Sequence, residues 1–305
     1  MAIVGAGMVG TTTAHVLALA GATRQLALVD VAPGLAAAVA LDLEHSTGIS
    51  RSSTVTKGGT DMALLADADV VVVTAGRPRQ PGMDRRDLVE VNGKIVRSVA
   101  QAIAEHAPEA VVVVVTNPLD EMAREAYLAT GFPRRRVLGM AGTLDSSRFR
   151  WALARAAGVD PGDVEAMTLG SHGNEMVPVV SRATVRGRPI TEVLSAEAIA
   201  RCVEETVHAG GRVVELRRTG SAFLAPGHAI AEVIDAMRGV AGGPIPVSVL
   251  LDGEYGLEDV FLGVPAILDE RGLVEIEEIP LSPEEESALH DAAMAVRGRV
   301  GASTK

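Results

Sequence analysis

The chain has 305 residues, 48% of them hydrophobic and 22% charged, enough for one large or two medium domains with real cores. A formal net charge of −11 without any basic stripe argues against nucleic acid as a partner, whereas small anions remain open to local arginines. One cysteine, Cys202, excludes an intrachain disulfide framework and fits a reducing cytoplasm. No apolar run nears the roughly 18–20 residues that cross a bilayer, so no membrane partner is expected, and no signal peptide precedes the first motif.

Aromatic residues make up only 2% of the chain, so the core must come from Val, Leu, Ile, Ala and Met. In chain order, short β-branched runs at Ala2–Val4, Leu26–Asp30, Thr54–Lys57, Val70–Thr74 and Val111–Thr116 predict strands. Helical spacing of apolar residues over Met8–Ala20, Pro33–His45 and Arg86–Glu105 fills the gaps between them. Runs such as the five valines at 111–115 have no polar alternation, as strands buried on both faces require. That alternation is the sequence form of a doubly wound parallel α/β sheet. From about residue 142 the rhythm changes to longer helices at Leu144–Ala157, Ala196–Arg217, Ala222–Met237 and Pro283–Val296. Hairpin-like segments at Val164–Leu169, Pro178–Arg186 and Val247–Asp269 separate them. The expected organisation is an α/β dinucleotide-binding domain over 1–142 and a mixed α+β substrate and catalytic domain over 143–305, with a ligand cleft between them. Met1 opens almost directly onto the first strand, which suggests a late start codon or a truncated chain.

Gly5-Ala6-Gly7-Met8-Val9-Gly10 follows the first strand and opens a helix, with the G-x-G-x-x-G spacing of a Rossmann fold. Its glycines allow a tight turn and close approach to a diphosphate, while the helix N-terminus offers free N–H groups. Asp30 ends the second strand twenty residues beyond Gly10, where a carboxylate accepts from both adenosine ribose hydroxyls and repels a 2′-phosphate. The cofactor expected is therefore NAD, unless Asp30 is a strand-end turn residue and the glycines only form turns.

Seven histidines compete for a proton-carrying role. His15, His208 and His228 fall in helical patterns, and His45, His106 and His290 are placed at helix ends. His172 differs, lying between two glycines in L-G-S-H-G-N at 169–174, a loop joining β segments. Upstream, Asp145 and Arg148 are three apart and share a helical face. They read either as an intrahelical ion pair or as two groups aimed into the cleft, an acid for the histidine and a fork for a carboxylate. The stretch G-R-P-R-Q-P-G-M-D-R-R at 76–86 sets four arginines into an acidic chain, as a solvated loop or as a lid carrying cations to an anion.

Several motifs in one order resemble the NAD-dependent lactate/malate dehydrogenases over nearly the whole chain, and within them the malate-acting members of the lactate-dehydrogenase-like subgroup. They are G-A-G-M-V-G at 5–10, Asp30, T-A-G-R-P-R-Q-P-G-M-D-R-R-D-L at 74–88, Asn92, V-T-N-P at 115–118, L-D-S-S-R-F-R at 144–150 and G-S-H-G at 170–173. The resemblance implies that His172 exchanges a proton with the substrate hydroxyl and that Asp145 orients it. It implies further that Arg148 clamps the C1 carboxylate, Arg85 polarises the C2 oxygen and Asn117 meets both substrate and cofactor. Gly5, Ala6, Gly7, Met8, Val9, Gly10, Asp30, Asn92, Val115, Thr116 and Asn117 are implied in cofactor binding, and no metal is implied.

At the position of Arg79 lactate enzymes of the family usually carry Gln and malate enzymes Arg, so a dicarboxylate, malate or oxaloacetate, is the implied substrate. Pyruvate leaves that cation desolvated and unpaired, a loss of roughly 2–5 kcal/mol, or about 30-fold or more in preference. The alternatives are a lactate or other 2-hydroxyacid dehydrogenase and a non-catalytic dinucleotide-binding module. A homo-oligomer, tetramer rather than dimer, is implied as well, with apolar faces at Val39–Leu43 and Ala222–Met237 serving as interface or core.

Overall fold

The computed structural model describes residues 1–78, 85–240 and 242–303; the side chains of residues 85, 86 and 301–303 lie outside the description. The first half alternates as its sequence requires, through β1 (Ala2–Val4), α1 (Met8–Leu19), β2 (Gln25–Val29), α2 (Leu35–Ser50), β3 (Val55–Gly59), β4 (Val70–Val73), α3 (Arg85–His106) and β5 (Val111–Val114). Two further elements, α4 (Leu119–Thr130) and β6 (Val137–Gly139), were not expected. The strand β6, Val137-Leu138-Gly139, carries one β-branched residue and ends on a glycine, and α4 starts immediately after Pro118. The strands pair in parallel in the order β3-β2-β1-β4-β5-β6, so the chain reverses direction across the sheet beside β1 and β4. The glycine motif follows β1 and V-T-N-P follows β5, so both lie at that reversal beyond the carboxyl ends of the strands, where doubly wound sheets bind ligands in a crevice.

The valine runs explain why this sheet is covered twice. Val70, Val72, Val111 and Val113 pack into one buried cluster with Ile230, Val233 and Ile234. Val71, Val73, Val112 and Val114 pack into another with Val96, Ile103 and Met122. Successive strand residues point to opposite faces, so an unbroken apolar run is stable only with a helix layer on each side. Each valine so buried contributes on the order of 1.5 kcal/mol.

The second half comprises α5 (Gly142–Ala157), β7 (Val164–Glu165), β8 (Thr168–Gly170), β9 (Met176–Pro178), β10 (Thr184–Val185), β11 (Arg188–Pro189), α6 (Ile190–Val193), α7 (Ala196–Arg217), α8 (Leu224–Met237), β12 (Ile245–Asp252), β13 (Glu258–Asp269), β14 (Gly272–Ile276) and α9 (Pro283–Ser303). The expected β segment Val247–Asp269 is the hairpin of β12 and β13, antiparallel from Ile245↔Ala266 to Asp252↔Glu258. Instead of stopping near residue 142, the sheet continues. Ser248 of β12 pairs with Gly139 of β6, and Gly263 of β13 pairs with Gly170 of β8, which brings the His172 loop to the crevice. The apolar face at 222–237 is core, with Ala229, Ile230, Val233 and Ile234 buried, whereas Leu41 and Ile49 of α2 are 57% and 89% exposed. Cys202 is buried in α7 with its Sγ 3.5 Å from the Ala152 carbonyl oxygen, and burial pushes its thiol pKa up, as befits a packing residue.

Candidate active site

The G-x-G-x-x-G loop is shaped by two steric constraints and one opening. Gly5 has φ +107°, and a Cβ there would lie 2.6 Å from Thr74 Oγ1; a Cβ on Gly10 would lie 1.9 Å from the Gly5 carbonyl oxygen. Any side chain at either position would separate strand from helix. Gly7 has nothing within 4 Å of its Cβ direction. It is the N-cap of α1, no side chain caps it, and the first turn holds no acidic residue. The leading N–H groups of α1, from Met8 and Val9 onward, thus face an open space suited to phosphate oxygens.

Asp30 stands beside this loop and is fixed before any ligand arrives. Its Oδ2 accepts from the Ala6 N–H at 2.7 Å and its Oδ1 from the Ala32 N–H at 2.9 Å. A carboxylate has about four acceptor sites, so two remain for vicinal ribose hydroxyls. Chemistry and shape together fit a dinucleotide.

Across the reversal, Thr116 Oγ1 donates to the Ala75 carbonyl at 2.7 Å and joins the ends of β4 and β5, with Val115 half-buried beside it. Asn92, on α3, is buried, and its amide is committed to the protein. Oδ1 accepts from the Arg77 N–H at 2.8 Å, and Nδ2 donates to the carbonyls of Arg77 at 3.1 Å and Asn117 at 2.6 Å. Both of its donors are spent, so it secures the start of the arginine-rich stretch to the peptide of Asn117, whose own side chain is exposed. Arg79, and the side chain of Arg85, lie outside the described residues.

The catalytic candidates converge from α5 and from the β8–β9 loop. His172 Nδ1 lies 2.7 Å from Asp145 Oδ2, and Arg148 Nη1 donates to Asp145 Oδ1 at 2.9 Å. The ion pair and the histidine contact coexist, one carboxylate oxygen serving each. Asp145 is 2% exposed and the side chains of His172 and Arg148 are 18% and 15% exposed, so the pair sits at the floor of a partly open site. Burial opposes charging of His172, but the Asp145 charge and hydrogen bond outweigh it, and the imidazole pKa is raised. Among the described residues Arg148 donates to Asp145 alone, with one of its five donors. Two of the other histidines lie inside helices and not at their ends, His45 within α2 and His290 within α9, where its Nε2 is 2.9 Å from the Tyr255 carbonyl oxygen.

Behind His172 is a buried polar network that the sequence reading missed. Asp120, on the first turn of α4, accepts from the His172 backbone N–H at 3.1 Å and from Ser248 Oγ at 2.8 Å. Burial pushes its carboxyl pKa up to about 6, the adjacent Glu121 adding to the effect. Arg299 reaches in from α9, donating from Nη2 to Ser171 Oγ at 3.1 Å, from Nη1 to Glu175 Oε1 at 3.1 Å and from Nε to Glu121 Oε1. Ser171 and Glu175 flank His172, so one guanidinium brackets the loop on both sides. An acid in a helix's first turn normally reads as a dipole partner, and Arg299 is more than 120 residues from its loop partners, so no local signal pointed to either.

Residues 1–139 match the family described as lactate/malate dehydrogenase, NAD binding domain, and residues 142–300 match lactate/malate dehydrogenase, alpha/beta C-terminal domain. The chain is 43% identical over 297 residues to a malate dehydrogenase of Thioalkalivibrio sulfidiphilus, covering 97% of each, and 45% identical to one of Nostoc punctiforme, covering 98% of this chain and 91% of the relative. Among solved structures it is similar to the malate dehydrogenase of Cryptosporidium parvum, with TM-score 0.96, 35% identity and 99% and 98% of the two chains covered. It is as similar in shape to the lactate dehydrogenase of that organism in complex with lactic acid and NAD, with TM-score 0.96, 33% identity and 100% and 97% covered. No helix among the described residues is long and apolar enough to cross a membrane.

Proposed function

Because the chain belongs to the lactate/malate dehydrogenase family, we propose that it is an NAD-dependent malate dehydrogenase, interconverting (S)-malate and oxaloacetate. The observation that carries the chemistry is the shared Asp145 carboxylate, with His172 on one oxygen and Arg148 on the other. With Nδ1–H donated to Asp145, the neutral imidazole keeps its lone pair on Nε2, the atom that takes the proton of the substrate hydroxyl. The imidazolium so formed is stabilised by Asp145, which raises the His172 pKa; oxaloacetate binds to the protonated form and malate to the neutral one. Arg148 holds the C1 carboxylate through its free N–H groups, and Asn117 presents its amide at the crevice. Arg85 polarises the C2 oxygen. Bound NAD supplies the hydride acceptor. The uncapped turn at Met8, with Gly5, Ala6, Gly7, Val9 and Gly10, holds its diphosphate and Asp30 its adenosine ribose, while Val115, Thr116 and Asn117 lie along its nicotinamide half and Asn92 keeps that segment in place.

Substrate choice rests on Arg79, since lactate and malate enzymes match this fold equally well. A second cation suits the second carboxylate of a dicarboxylate, and the curated relatives named above are malate dehydrogenases. The division near residue 142 separates a cofactor half from a substrate half. Cytoplasmic residence fits the lone buried thiol. Leu41 and Ile49, exposed on α2, support a homo-oligomer, with the tetramer preferred, which sedimentation at micromolar concentration checks. The test of the whole reading is steady-state NADH oxidation with oxaloacetate and with pyruvate. We expect oxaloacetate to be preferred in kcat/KM by about 30-fold or more, and the Arg79→Gln variant to lose that preference. Preference for pyruvate would assign the chain to the lactate enzymes, and NADH binding without turnover would make it a binding module.

A further inference from the structure

We propose that Arg217 is a cofactor-binding residue that brings a guanidinium from the end of α7 onto the diphosphate held by the glycine loop; this rests on the NAD-dependent reading above. Arg217 lies in the last turn of α7, where a cation complements the helix dipole, but its side chain leaves the helix. Nη2 stops 3.4 Å from Sδ of Met8, 209 residues earlier in the chain and the first residue of α1. The guanidinium carbon lies 4.6 Å from the centroid of the Phe223 ring, an arrangement that fixes the plane of the fork. Nε is buried and has no hydrogen-bond partner.

These observations describe a cation whose Nη2 end stands beside the first residue of α1 on a weak acceptor. Among the described residues no carboxylate pairs with Arg217, and a thioether is a weak acceptor. Met8 supplies the position at which the helix N-terminus meets phosphate, in a turn that carries no side-chain cap and no acid. A diphosphate has the charge and the oxygens to accept from the terminal nitrogens of the guanidinium, Nη2 being the one that stands beside Met8.

The test is equilibrium binding to the full-length chain, with NADH followed by its fluorescence and ADP-ribose by displacement of NADH, in wild type and in Arg217→Met and Arg217→Lys. The proposal expects Arg217→Met to weaken NADH and ADP-ribose alike by about tenfold, because both carry the diphosphate, and Arg217→Lys to recover part of the loss. Affinities within twofold of wild type in both variants would overturn it. So would a loss confined to NADH, which would place Arg217 at the nicotinamide end. Thermal melts identify a variant that does not fold, in which case Arg217→Lys alone decides by the same two ligands. If the wild-type chain bound no NADH, the NAD-dependent reading would fail and the proposal with it.

Discussion

The His172 side of the crevice and the glycine-loop side differ in whether the groups that meet the ligand are already held by other side chains, although the His172 side also leaves Glu121 Oε2, Glu175 Oε2 and Thr168 Oγ1 buried without a hydrogen-bond partner. At His172, both oxygens of Asp145 and both of Asp120 are engaged, and Arg299 serves three acceptors around the same loop. At the glycine loop, the first turn of α1 has no cap, Gly7 faces open space and the Nε of Arg217 has no partner. The first region is organised before substrate arrives, as a proton-transferring group must be if its geometry is not to be reassembled at each turnover. The second is organised for a ligand that completes it. Mutations on the two sides should therefore fail differently, in turnover on one and in affinity on the other.

The largest effect belongs to the histidine. His172→Gln keeps a polar side chain but no group titrating near neutrality, and should lower kcat/KM for oxaloacetate by about 10²–10⁴-fold while NADH affinity stays within twofold. A parallel loss of NADH affinity would mean the two regions are not separable. Arg299→Met probes the support rather than the chemistry. Loosening the His172 loop should cost about tenfold in kcat with little change in the KM for NADH, and Arg299→Lys, which restores charge but not three directed donors, should recover only part. Equal kcat in all three proteins would reduce the bracket to packing.

A third effect is one of stability. The Asp120 pKa is raised from 3.8 to about 6, so between those values the folded state holds a proton that the unfolded state has lost, and stability falls as pH rises through that window. Asp120→Asn removes the titration. The stability difference, variant minus wild type, should then increase from pH 4 to pH 7 by on the order of 2–3 kcal/mol, read from urea melts at the two values. A difference independent of pH would mean that Asp120 is charged throughout.

What the sequence made legible follows from how local each signal is. Valine runs and the glycine spacing encode strands, crossovers and the dinucleotide loop within a few residues, and α7 appears at Ala196–Arg217 as expected. Asp145 and Arg148 were ambiguous between an ion pair and a functional pair because helical spacing alone serves both; in the fold one carboxylate does both at once. Asp120, Ser248, Arg299 and Arg217 were invisible because their meaning depends on neighbours more than 50 residues away in the chain. Arg79, outside the described residues, shows the converse, a residue whose proposed role rests on its identity at one motif position.

The central claim, that Asp145 tunes and orients His172, is tested most directly by the pH dependence of kcat/KM for oxaloacetate reduction in Asp145→Asn. The amide cannot hold the imidazolium, so the His172 pKa should fall, moving the alkaline limb of the profile to lower pH, with activity at neutrality reduced about 10²-fold or more and NADH affinity unchanged. An unmoved alkaline limb with activity within a few-fold of wild type would contradict the account.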